Sequence, residues 1–98
     1  MVLKWQVMTI FDAVAISASV TFRTKISGVE LRKSLANGSL AGHLEPHLER
    51  VLAEVPIGML AQLVFAYPPE QQATVINNIT ELGHRWGIAR IERWLTSG

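Results

Sequence analysis

The chain opens on alternation. Leu3, Trp5 and Val7 alternate with Lys4 and Gln6, and between residues 13 and 26 Val14, Ile16, Ala18, Val20 and Phe22 face away from Ala15, Ser17, Ser19, Thr21 and Arg23. A period of two in a stretch rich in Val, Ile, Thr and Phe predicts β-strands. A helical reading competes with it. Thr9 and Asp12 have the spacing of a capping box, and Phe11, Val14, Ala15, Ala18 and Phe22 would share one helix face. Ser and Thr at 17, 19, 21 and 24 are poor helix-interior residues, which tips the reading towards strands. Neither Gly nor Asn-Gly stands near Asp12 and Ala13 to make a tight hairpin, so a long bent strand or pairing between chains is expected.

At Ser27 the pattern becomes helical. Ser27 and Glu30 form a capping box ahead of Val29, Leu31 and Leu35, and Asn37-Gly38 closes that helix. Leu40, Leu44, Leu48, Val51, Leu52 and Val55 recur at helical spacing, with Pro46 placed to start or kink a helix. Residues 51–67 are the most apolar stretch, with Glu54 as their one charge, so the segment 57–66 reads as a buried central helix. Pro68-Pro69 stops it and opens the next helix, whose inner face is Val75, Ile76, Ile79 and Leu82 and whose end is Gly83. An amphipathic segment, 86–95, follows with Trp86, Ile88, Ile91, Trp94 and Leu95 opposite Arg90, Glu92 and Arg93. The predicted architecture is α+β: a single domain over 1–98, mainly helical, with one or two strands within residues 3–26 and then four or five short helices around 57–66. The alternative is all-α.

Composition adds a hint of association. Charged residues are 17% of the chain, below the roughly 25% usual for a soluble domain. Such a shortage is met most simply by a second copy covering part of the surface. Net charge is +1, which predicts neither a strongly basic nucleic-acid binder nor an acidic solubiliser. Its distribution is uneven: basic side chains dominate residues 1–38 and 85–98, and acidic ones dominate 39–84. The absence of cysteine excludes disulfides, thiolate metal sites and a cysteine nucleophile, and fits a cytoplasmic location. Neither a secretion signal nor a membrane helix is expected near the start. Asp12 breaks the apolar run, and at the centre of a membrane span it would cost about 2.5–3.5 kcal/mol.

Candidate chemistry is sparse. His43 and His47 stand four apart, a metal-ligand spacing on a continuous helix. Pro46 between them and Arg50 at the next position of that face argue against a site, so no metal and no cofactor is predicted. No Ser-His-acid spacing and no Gly-rich phosphate loop occurs, and no enzyme is predicted. The stretch ELGHRWGIARIERWL (81–95) resembles the turn and second helix of helix-turn-helix domains of transposases and repressors. That resemblance implies Arg85, Arg90 and Arg93 on phosphates or base edges. Separately, the basic cluster Arg23, Lys25, Arg32 and Lys33 would make one basic surface with them in a nucleic-acid-binding alternative. The leading expectation is instead a non-enzymatic regulatory or adaptor protein that binds a protein partner and itself. Trp5, Trp86, Arg90, Arg93 and Trp94 are its partner-binding candidates, because Trp and Arg dominate interface hot spots.

Overall fold

In the computed structural model, which describes residues 9–38 and 41–96, Thr9 starts a helix. The Asp12 N–H donates to Thr9 Oγ1 at 3.2 Å, and the Thr9 N–H donates to Asp12 Oδ2 at 3.2 Å. This reciprocal box opens α1, Ile10–Phe22. No strand occurs among the described residues, so the α+β expectation is overturned and the all-α alternative holds. The supposed strand face is split: Val14 and Ala18 are buried, whereas Ile16 and Val20 are exposed. Burial decides the outcome. Each Ser or Thr in a helix costs about 0.5 kcal/mol, while burying one large apolar side chain returns about 1.5–3 kcal/mol. Phe11, Val14, Ala15 and Ala18 go inward together, which no strand allows. Of the strand expected over residues 3–11, residues 3–8 lie outside the described residues, and Thr9, Ile10 and Phe11 open α1 instead.

The connection after α1 doubles back along it, for Gly28 stands against Asp12 in the first turn of α1. On the way His47 Nδ1 accepts the Lys25 N–H at 3.0 Å, and Ile26 enters the core. The predicted Ser27–Glu30 box is present and opens α2, Gly28–Asn37. Gly38, with φ 74°, closes it in the left-handed conformation that suits glycine. A short 3-10 turn, Gly42–Leu44, leads into α3, Glu45–Glu54, with Pro46 in its first turn. Then come α4, Ile57–Phe65, α5, Pro69–Arg85, and α6, Ala89–Thr96.

The centre of the bundle is α5, which packs on α2, α3, α4 and α6. The expected central helix, α4, lies on the flank, mainly against α5 and α1. It buries Leu60, Leu63 and Val64, while Phe65 is 74% exposed. The segment is apolar on nearly every side, but among the described residues its neighbours lie mainly on one side. The end of α5 also differs from expectation. The helix runs past Gly83, and Gly87 at φ 66° makes the left-handed stop. The Gly87 N–H reaches the His84 carbonyl at 3.3 Å and the Ile88 N–H reaches the Gly83 carbonyl at 2.8 Å, a Schellman motif. Gly83 serves packing instead: a Cβ there would stand 2.5 Å from Ile91 Cγ2, so only glycine lets α6 fold back this tightly.

Candidate interaction surface

The outer face of α1 is apolar. Ile16 is 52% exposed and Val20 78%, with half-buried Ala13 beside them at helical spacing. Between Asp12 and Arg23 the helix carries no charge. Its inner face is already committed to the core through Phe11, Val14, Ala15 and Ala18, so α1 is apolar on both sides. Arg23 ends it in the left-handed region, φ 59°, with its N–H on the Ser19 carbonyl at 3.1 Å. That conformation costs a non-glycine residue about 1 kcal/mol. Val29, 52% exposed, follows Gly28 at the Asp12 end of the same region.

The candidates on α6 separate into different roles. Arg90 turns inward. Its Nε and Nη2 donate to the Leu52 carbonyl at 3.0 and 2.6 Å, and Nη2 also donates to the Val55 carbonyl at 2.5 Å. These are carbonyls left open where α3 stops, so Arg90 ties α6 to the end of α3. Burial pulls this guanidinium down from its usual range, and the charge of Glu54 opposes that. Arg93 is exposed, while Trp86 and Trp94 are half-buried and pack partly on the core. An open depression of about 570 Å³ is lined by Thr80, His84, Ala89, Glu92 and Arg93, with His84 Nδ1 3.1 Å from Glu92 Oε2. Trp5 lies outside the described residues.

Residues 81–95 form the end of α5, a turn at Gly87 and most of α6. The outward face of α6 carries the Glu92 carboxylate beside Arg93, and Arg90 is engaged with α3. Arg23, Lys25, Arg32 and Lys33 are all exposed near the α1–α2 junction. Arg85 is also exposed but lies elsewhere. Asn78 on α5 touches the end of α2, and Arg85 is two turns, about 10 Å, further along α5. His43 sits in the 3-10 turn and His47 in α3, with His47 Nδ1 occupied by the Lys25 N–H. No group of three or more His, Cys, Asp or Glu is placed to hold a metal ion among the described residues. No helix among them is long and apolar enough to cross a membrane.

Comparison of the chain with protein families, curated proteins and solved structures gives no match. The surface residues missed by sequence reasoning are Ile16, Val20 and Phe65. The signal for the first two was present: Ala13, Ile16 and Val20 form a second apolar helix face opposite the first, once the segment is read as a helix.

Proposed function

We propose that this protein is a small, non-enzymatic regulatory or adaptor protein of the cytoplasm that acts by binding protein, its own copies included. The observation that carries the reading is the outer face of α1. A helix apolar on both sides is stable in water only when both sides are covered, and Ile16 and Val20 have no cover among the described residues. The low charge content points the same way. The second binding surface is the end of α6, where Trp86, Arg93 and Trp94 offer the aromatic and guanidinium groups typical of hot spots, and Arg90 positions that helix.

The test is the mass in solution, measured by light scattering over a concentration series, at low and high salt, with and without random duplex DNA. Assemblies larger than one chain, indifferent to DNA and persisting at high salt, are the expected result, since apolar burial is not screened by salt. A monomer at every concentration overturns the reading. So does a DNA complex that dissolves steeply with salt, which is the signature of phosphate binding.

A further inference from the structure

Resting on the self-association just proposed, we infer that the outer face of α1 is covered by the same face of a second copy, packed antiparallel about a two-fold axis. The argument is charge complementarity. Two charges of opposite sign stand at opposite ends of the stripe: Asp12 at its edge in the first turn, its carboxylate also closing the Thr9 box beside Gly28, and Arg23 just past the last turn. A parallel pair sets Asp12 against Asp12 and Arg23 against Arg23. An antiparallel pair sets each Asp12 near the Arg23 of the partner subunit and also opposes the two helix dipoles. Everything between them is uncharged, so the face meets its own copy without repulsion.

The register follows from symmetry. Ile16 and Val20 lie symmetrically about position 18, and Asp12 and Arg23 about a point half a residue away. One two-fold axis therefore serves both pairs, with Ile16 on the partner's Val20 and the charges closing the ends. Half-buried Ala13 and Ser17 beside the stripe are small enough to let the helices approach closely. Val29 widens the apolar region at the Asp12 end of each copy. A helix of 13 residues is about 20 Å long, so this contact is at the small end of specific interfaces and dissociates at order micromolar concentration.

The natural chain has no cysteine, which allows a direct test. Ile16→Cys and Val20→Cys chains, which differ in mass, are mixed and oxidised in air, and the three disulfide species are counted by mass spectrometry. The antiparallel register brings position 16 to position 20 of the other copy. It leaves two copies of position 20 offset along the axis by about 6 Å, which is poor disulfide geometry. The mixed disulfide is expected to form at least tenfold faster than either homodisulfide. Homodisulfides forming as fast overturn the arrangement. In parallel, Arg23→Glu places like charges at both ends and is expected to weaken association about tenfold, while Arg23→Gly, which suits the left-handed conformation, keeps the fold and loses the attraction. Association as tight as that of the unaltered chain in Arg23→Glu also overturns the arrangement. A chain that associates but gives no preferred mixed disulfide removes only this geometry, whereas a chain that never associates removes the self-association reading itself.

Discussion

Gly28 lies against the backbone of Asp12. A Cβ at position 28 would stand 2.8 Å from the Asp12 nitrogen and 3.0 Å from its Cα. Backbone cannot swing aside as a flexible side chain can, so Gly28→Ala must push α2 away from the first turn of α1. Overpacking of this kind costs about 1–3 kcal/mol. Gly58, in the first turn of α4, has nothing among the described residues within 4 Å of a Cβ placed in the same way. Gly58→Ala is therefore expected to stabilise the fold by roughly 0.5 kcal/mol through the unfolded chain. Urea midpoints of the two variants should move in opposite directions at an unchanged slope.

Arg90 gives the second prediction. Leu52 and Val55 end α3 with carbonyls that no further turn of helix can satisfy, and the guanidinium fork spans both. Arg90→Lys keeps the charge but offers one point donor in place of the fork. Its expected cost is about 1–2 kcal/mol, since water can reach part of this site and recover some of the lost bonding. Faster amide exchange at the end of α3 and over α6, ahead of the rest of the chain, is the accompanying signature. An unchanged exchange pattern would show that the link between the two helices does no stabilising work.

These elements differ in how openly the sequence announces them. Ser27 with Glu30, Asn37-Gly38, Pro46 and Pro68-Pro69 act on their immediate neighbours, and the helix boundaries they predict are found in place. The first segment is harder. Val14, Ala18 and Phe22 belong both to a strand face and to a helix face, and the choice between them rests on how many other side chains can be buried at once. The outer position of Ile16 and Val20 is hidden for the same reason, because a strand sends them to the side of Val14. Phe65 was misplaced because a uniformly apolar segment does not say which of its sides has neighbours. Arg90 reads as an ordinary outer residue of an amphipathic helix, for its acceptors lie 35 and 38 positions back in the chain.

The Ser27–Glu30 box makes stability depend on acid. The Ser27 backbone N–H, donating to Glu30 at 2.9 Å, holds this carboxyl below its ordinary value of 4.5. The folded state thus binds this proton less readily than the unfolded chain. The contribution is complete above the ordinary carboxyl range, and it fades as pH falls from about 4.5 through the lower folded-state value. Glu30→Gln preserves a capping acceptor without the charge. Its stability, followed by thermal melting from pH 6 down to 3, should fall less steeply below 4.5 than that of the unaltered chain.

Tyr67 makes the complementary prediction in alkali. Its ring meets Phe11 edge-on at 5.0 Å between centroids, and its hydroxyl donates to the Arg32 carbonyl at 2.6 Å. One side chain thus joins the end of α4 to α1 and α2. Burial raises the phenol well above its ordinary value of 10, with the positive charge of Arg32 opposing. The folded state keeps this proton when the unfolded chain has released it. Stability from Tyr67 is therefore complete below pH 10 and is lost progressively as pH rises above it. Tyr67→Phe keeps the ring contact and removes the hydroxyl. At neutral pH it is expected to cost about 1 kcal/mol, the worth of one hydrogen bond, since the Arg32 carbonyl keeps its place in the α2 ladder. Between pH 9 and 11.5 the variant should lose less stability than the unaltered chain, so the two denaturation midpoints converge with rising pH. Parallel curves would mean that the hydroxyl titrates alike in the folded and unfolded chains, and that the bond to Arg32 does not hold it.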